Sequence, residues 1–298
     1  GDVYKRQVSL SEHKGGRLIC HYCGYTQPMP KLCPKCGSKY ILGFKAGTQQ
    51  IEEKLKELYP GVRTLRMDAD TTRTKDSYEK ILSSFANGEA DVLIGTQMIV
   101  KGHDFPKVTL VGILAADLSL NASDYRAGER TFQLLTQAVG RAGRGVLPGE
   151  AVIQTYQPDH YAITCAAAQD YESFYQEEIL YRELSGYPPV AHMLAVQIYG
   201  KEEENVKQLA LRLTDVVKSN MDFLSGKQKE QSNKKIQVLG PAPANISKIN
   251  DIYRYVFYVK HAEYDVLVEV KDRLEETLRQ WQPRQMSIQF DFDPVSVL

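Results

Sequence analysis

The sequence contains no apolar run of about 18 residues, which excludes a membrane-spanning helix. No secretory leader is recognisable, so the expected compartment is the cytoplasm. Neither sign of charge dominates: Lys plus Arg and Asp plus Glu both number 37, giving a formal net charge of zero. An anionic polymer would therefore be met by local patches and not by a global field. No internal repeat or low-complexity tract interrupts the chain. Two signatures of a self-contained nucleotide site are also missing, Gly-x-x-x-x-Gly-Lys-Ser/Thr and Asp-Glu-x-His. Without the phosphate loop and its lysine, the β- and γ-phosphates of ATP have no cradle. The chain alone is thus expected not to hydrolyse ATP.

There is no initiator Met, and Gly1–Gln7 (GDVYKRQ) does not read as the start of a domain. Coherent text begins at Val8, so residues 1–7 are expected to be non-native and the protein to continue upstream. The 298 residues, 43% hydrophobic and 25% charged, are an ordinary globular mix with material for about two domains.

Cysteines are few but patterned. Cys20-His21-Tyr22-Cys23 and Cys33-Pro34-Lys35-Cys36 form a CxxC-x9-CxxC array, each pair followed by glycine (Gly24, Gly37). Four thiolates at these spacings suit tetrahedral Zn²⁺. Disulfides are disfavoured in a cytosolic chain. His21 could substitute as a ligand but reads more simply as solvated, and Cys165 reads as an ordinary buried thiol.

Strand and helix patterns alternate from residue 40 on. Tyr40–Phe44, Thr64–Met67, 91–94, Val108–Ala115 and Ala151–Tyr156 read as strands. Helices are expected after Thr48 (Ile51, Leu55 and Leu58 on one face, Thr48 as cap), around Tyr78–Phe85, and over 129–139. This alternation argues for a parallel sheet. The apolar run 108–115 reads as a strand covered on both faces. Gly186-Tyr187-Pro188-Pro189 is a break. Beyond it, Met193–Tyr199 (β), Glu203–Asn220 (α), Ile236–Leu239 (β), Arg254–Lys260 (β), Tyr264–Gln280 (α) and Met286–Phe292 (β) give a βαββαβ, ferredoxin-like order. GPAPANISKIN reads as a loop or extra strand.

Two stretches carry the chemistry. In Gln137-Ala138-Val139-Gly140-Arg141-Ala142-Gly143-Arg144-Gly145, a continuous helix would put Gln137, Arg141 and Arg144 on one face. Two guanidiniums there, beside glycines that admit another backbone, suit a phosphate-rich ligand. A solvated Arg/Gly turn is the plain alternative. Upstream, Gly95-Thr96-Gln97-Met98-Ile99-Val100-Lys101-Gly102-His103-Asp104-Phe105 follows a strand, where open α/β sheets bind ligands.

Together GTQMIVKGHDF and QAVGRAGRG resemble motifs V and VI of superfamily 2 nucleic-acid helicases, and the wording is closest to the PriA-type replication-restart DNA helicases. FYQEEILYRELSGYPP resembles that family's link into its last domain. The resemblance runs over nearly the whole chain. It implies a zinc-binding region (8–40), a second RecA-like helicase lobe (41–186) and a ferredoxin-like C-terminal domain (187–298). It also implies a 3′-to-5′, ATP-driven motor that reloads replication at stalled forks. The chain without its ATP-binding lobe would then not unwind DNA. Arg141 and Arg144 would stabilise the charge of the transferred phosphoryl, with Gln137 positioning nearby groups. Asp104 would contact the nucleotide ribose or couple the lobes, a helix cap being its alternative. Gly102 would permit close backbone approach. Gly95 and Thr96 would touch a phosphate of the tracked strand, with Lys101 adding charge.

Family members resemble the cysteine array but carry four CxxC pairs binding two zincs, so Cys20, Cys23, Cys33 and Cys36 are expected ligands without being assigned to one ion. Val8–Lys14 resembles the tail of the upstream pairs. ATP and Mg²⁺ would be bound mainly by the missing lobe, so Asp68 and Asp70 are not read as a Mg²⁺ site. Implied partners are forked and single-stranded DNA, the single-stranded-DNA-binding protein and primosome components. Asp117 and Asp124-Tyr125-Arg126 match family text without a role. Lys248, Tyr253 and Arg254 could serve DNA, but read more simply as hairpin surface. A non-catalytic zinc-dependent nucleic-acid-binding module and another superfamily 2 motor are the competing readings.

Overall fold

The computed structural model describes residues 11–13, 17–19, 25–32, 37–39, 47–68, 71–72, 75–100, 105–122, 124–219 and 235–295. Two compact units divide it: Gly1–Gly37 with Asn121–Ala127 and Tyr175–Leu298, and Ser38–Leu120 with Gly128–Phe174. In the first unit, β1 (Ser11–His13), β2 (Arg17–Ile19) and β3 (Thr26–Pro28) form a small antiparallel sheet. The strand expected at Tyr40–Phe44 lies outside the described residues.

The second unit opens with α1 (Thr48–Leu58), β4 (Thr64–Met67), α2 (Lys75–Ala86) and β5 (Val92–Gly95). β4 and β5 pair in parallel, Thr64 opposite Val92 and Met67 opposite Gly95, with α2 as the crossover that parallel strands require. Leu82 of α2, Met67 and Ile94 are buried. Two expectations for α1 change. Its N-cap is Gly47, and the Thr48 hydroxyl instead donates to Asp68 Oδ2 at 2.5 Å. Leu58, expected inside, is exposed in the last turn beside exposed Tyr59.

A 3-10 turn (Gln97–Val100) follows β5. Then come β6 (Leu110–Ile113), α3 (Asp117–Leu120), α4 (Ala127–Val139), β7 (Glu150–Ile153) and α5 (Tyr161–Ala168). β6 and β7 pair in parallel. Phe132, Leu135, Ala162, Ile163, Ala166 and Phe174 pack against Ile113 and Ile153, with the Phe132 and Phe174 rings stacked at 4.0 Å. The other face differs from expectation. Leu110 is 62% and Val152 51% exposed, so this strand pair is covered on one face only. Cys165 is half-buried at the edge of that core. Asp117 has a structural place: its carboxylate accepts from Thr155 Oγ1 (3.0 Å) and the Tyr156 N–H (3.0 Å).

α6 (Tyr171–Ser185) is one continuous helix, and the division at 174/175 falls within it, not at the expected break at 186/187. Beyond it come β8 (His192–Gly200), α7 (Glu203–Ser219), β9 (Gln237–Ile249), β10 (Ile252–His261), α8 (Tyr264–Trp281) and β11 (Met286–Phe292). The sheet order is β11-β8-β10-β9, antiparallel throughout. Alternation along the central strands sends Leu194, Val196, Ile198, Phe257 and Val259 to one face. They meet Val206, Leu209 and Leu213 of α7 and Leu267, Val270 and Leu274 of α8. The opposite face buries Met193, Ala195, Val256 and Tyr258 against Tyr125 and Tyr187. β9 is a single strand through GPAPANISKI, with register shifts against β10: the stretch read as a loop or extra strand is strand, continuous with the one before it.

Candidate functional site

The arginine stretch is not one helix. α4 ends at Val139, and the next turn tightens: Arg141 N–H donates to the Ala138 carbonyl (3.0 Å) and Ala142 N–H to Val139 (3.2 Å). Gly143 then adopts φ +70°, the left-handed conformation that commonly ends helices. A single helical face for Gln137, Arg141 and Arg144 is therefore excluded, and the alternative, an Arg/Gly turn at a helix end, is what forms. Gln137 sits exposed in the last turn of α4, Arg141 is half-buried just past it, and Arg144 is exposed beyond the glycine. Arg144 Nε folds back to donate to the Gly140 carbonyl at 2.6 Å. A cation there satisfies a carbonyl the helix leaves open and opposes the negative end of its dipole.

The glycines do admit another backbone, but it is this chain's own. A Cβ on Gly143 would stand 2.7 Å from Gly149 N, and one on Gly145 would overlap the Pro106 carbonyl oxygen. Gly143 N–H also donates to the Val108 carbonyl at 3.0 Å. Thus the arginine turn is seated on the loop entering β6 and on the loop entering β7. Pro106, Val108 and Gly149 are the residues that sequence reading missed. The Pro148-Gly149 dipeptide was the available signal, marking a turn close after the arginines.

Gly95 closes β5. A Cβ there would lie 2.5 Å from Ile99 and 2.6 Å from the Met67 carbonyl oxygen, so only glycine lets the 3-10 turn fold onto the end of β4. Thr96 is exposed at the mouth of that turn, and its carbonyl accepts from Ile99 N–H at 3.1 Å. Lys101, Gly102 and Asp104 lie outside the described residues, as do Cys20, Cys23, Cys33, Cys36 and Asp70. Asp68, at the end of β4, accepts from Thr48 and the Thr71 N–H and pairs with Arg66 Nε at 2.9 Å. The Thr48 hydroxyl, then Thr71 and Arg66, hold its carboxyl below the ordinary range. That carboxylate organises a turn.

The basic and aromatic residues of the β9–β10 hairpin are locally paired. Lys248 meets Asp251 at 2.9 Å and lies 4.7 Å over the Tyr253 ring, and Arg254 lies 5.6 Å over Tyr199.

Three family descriptions match in succession. Residues 7–28 match the PriA DNA helicase Cys-rich region (CRR) domain. Residues 32–146 match the helicase conserved C-terminal domain. Residues 183–295 match the primosomal protein N C-terminal domain. The chain is similar to a replication restart protein PriA of Bacillus subtilis (strain 168), with 41% identity over 98% of this chain and 35% of the relative. Those of Synechocystis sp. (38% identity; 97% and 34%) and Treponema pallidum (35% identity; 98% and 42%) are also similar. The chain spans about a third of the length of the first of these relatives, 35% and 34%. Cysteine-rich region, helicase C-terminal lobe and C-terminal domain thus follow one another in a single α/β chain, and the chain belongs to the PriA family.

Proposed function

We propose that this chain is the C-terminal part of an ATP-dependent 3′-to-5′ DNA helicase that restarts stalled replication forks and initiates primosome assembly. The observation that carries the reading is the arginine turn: two arginines just past a helix end, fixed by glycine contacts to the loops entering two parallel strands. A fixed cation stabilises the charge spread over a transferring phosphoryl without reorganising at the moment of reaction. Arg141 and Arg144 take that role, and Gln137 positions the neighbouring groups. Gly95 and Thr96 contact a phosphate of the tracked strand, with Lys101 adding charge. Gly102 and Asp104 serve the nucleotide side of the same loop. The β- and γ-phosphates and Mg²⁺ are held by an ATP-binding lobe whose motifs this sequence does not contain, so the chain alone is inactive.

The α/β unit is read as a RecA-like second lobe, supported by its two parallel strand pairs. The order β8-α7-β9-β10-α8-β11 supports a ferredoxin-like C-terminal domain. Cys20, Cys23, Cys33 and Cys36 would hold structural zinc; the donor chemistry fits, since four thiolates in two CxxC pairs match its preference for sulfur. Zinc would supply folding free energy to the cysteine-rich region. The partners in this reading are forked and single-stranded DNA, the single-stranded-DNA-binding protein and primosome components. No helix among the described residues is long and apolar enough to cross a membrane. The expected compartment is the cytoplasm.

One observation favours a second reading, in which Arg144 is only a cap: its Nε bond to the Gly140 carbonyl. ATP turnover of the full-length protein with forked DNA, wild type against Arg144→Ala, separates the two. The catalytic reading expects a loss of roughly a thousandfold with DNA binding intact. Turnover within a few-fold of wild type would leave Arg144 as a cap and remove the catalytic assignment.

A further inference from the structure

Arg144 stands between two glycines, and both rest on the same four residues of the α/β unit. Gly143 N–H donates to the Val108 carbonyl at 3.0 Å. Gly145 lies so close to the Pro106 carbonyl oxygen that a Cβ there would overlap it. The main chain on either side of Arg144 is therefore fixed to one turn, Phe105-Pro106-Lys107-Val108. Whatever holds that turn also sets where the Arg144 backbone stands.

The turn closes on itself: Val108 N–H donates to the Phe105 carbonyl at 3.0 Å. Pro106 takes its second position, where the fixed φ of proline suits a turn. This closure sets the shape of the turn but not its place. On the C-terminal side, its place is set where the chain enters β6: the Thr109 carbonyl accepts from Glu150 N–H, at the start of β7, at 2.8 Å. On the N-terminal side, the half-buried Phe105 ring meets the half-buried ring of Phe85 in the last turn of α2. The centroids are 5.0 Å apart and the planes lie at 79°, the edge-to-face arrangement that aromatic pairs prefer. Leu82, one turn earlier in α2, is buried, so Phe85 stands on a seated helix. Pro106 and Lys107 are exposed, which leaves the rings to anchor this end of the turn.

We propose that Phe105 is a positioning residue: its ring, set edge-to-face against Phe85, holds the turn on which Gly143 and Gly145 sit and thereby aims Arg144. This rests on the arginine reading given above and deepens it. A guanidinium that meets a transferring phosphoryl acts from a set position, and here that position is inherited from an aromatic contact that touches no ligand.

The test uses the full-length protein, with ATP turnover on forked DNA and deuterium uptake as separate readouts. In Phe105→Ala, DNA-stimulated kcat falls about tenfold or more, the order expected of a small misplacement away from the chemistry. The KM for ATP stays within about twofold, because an arginine acting on transition-state charge leaves ground-state binding alone. Uptake rises over residues 141–146 and not over α5. Phe105→Tyr, which keeps the ring, recovers most of the turnover. Phe85→Ala moves both readouts in the same direction, and the double alanine variant is no worse than Phe105→Ala, since each loses the same contact. A kcat within about twofold of wild type in Phe105→Ala, while Arg144→Ala abolishes turnover, overturns the proposal. So does a raised KM with kcat kept, or a double variant whose losses add. If Phe105→Ala does not fold, Phe105→Leu, which keeps bulk without a ring, is judged by the same readouts. Should Arg144→Ala retain turnover, the arginine reading falls. Raised uptake over residues 141–146 in Phe105→Ala then still upholds the seat, and unchanged uptake strikes it down.

Discussion

The C-terminal sheet and the β6–β7 pair bury their apolar residues to different degrees. β8 and β10 lie in the centre of an antiparallel sheet and are covered on both faces, by α7 and α8 on one side and by tyrosines on the other. β6 and β7 are covered on one face, and Leu110 and Val152 on the second face meet solvent. The difference follows from how each is assembled. In the C-terminal sheet the connections α7 and α8 both cover one face and Tyr125 and Tyr187 cover the other, whereas the helices packed on β6 and β7 lie on one face only among the described residues.

Truncating the closed core should have the largest effect. Leu267 is fully buried between α8 and the sheet, and Leu267→Ala should cost about 2–5 kcal/mol. Trp281, the sole tryptophan, stands at the end of the same helix and reports this unit's unfolding in urea. A cost well under a kilocalorie would mean that the two covered faces are less tightly packed than their burial implies.

Lys260 probes the tyrosine-covered face through pH. Burial pushes its amine down to about 8 from an ordinary 10.5. Below about 8 the amine is charged in both folded and unfolded chains, and the cost of burying that charge is fully present. Between about 8 and 10.5 the unfolded chain binds more protons, so stability should rise with pH. The full shift corresponds to about 3 kcal/mol; the Ser185 carbonyl and Tyr187 ring favour the charged form, so a gain nearer 1–2 kcal/mol is expected. Urea midpoints of wild type and Lys260→Met across this range isolate it, since the other titrating groups are common to both. A flat difference would show an amine with an ordinary titration.

The smallest effect is expected at the open face. Leu110→Ser should change stability by no more than about 0.5 kcal/mol, as at other exposed positions. A cost of several times that, read from the far-UV melting of the chain, would mean that the face is covered in solution, and would erase the contrast between the two regions.

These regions were also unequally legible. The order β-α-β-β-α-β read from the sequence recurs in β8 to β11, because periods of two and of 3.6 alternate cleanly there. β9 runs on through Pro241 and Pro243, past the strand expected at Ile236–Leu239. It occupies the edge of the sheet, where a missing donor is tolerated, and edge position cannot be seen in one strand's own residues. In the α/β unit the helix expected over 129–139 ends at Val139 as α4 does, but the residues beyond it leave a helical face and an Arg/Gly turn both open. The glycines of this stretch signal that another backbone comes close, but not which one. Their use became visible only when Pro106, Val108 and Gly149, distant or unremarked in sequence, came into view. Thr48 shows the same limit: a good cap by type, it was claimed instead by a carboxylate 20 residues away.

The seating of the arginine turn has a consequence for reading mutants. Gly143, Gly145 and Gly149 stand where a single methyl group would collide with main chain, so an alanine scan should score all three as harshly as the arginines. Such a map would widen the patch around the arginines with positions whose cost is steric. Nor could a compensating change elsewhere rescue them, because the obstructing atoms are backbone nitrogen, carbon and oxygen, which every residue type shares.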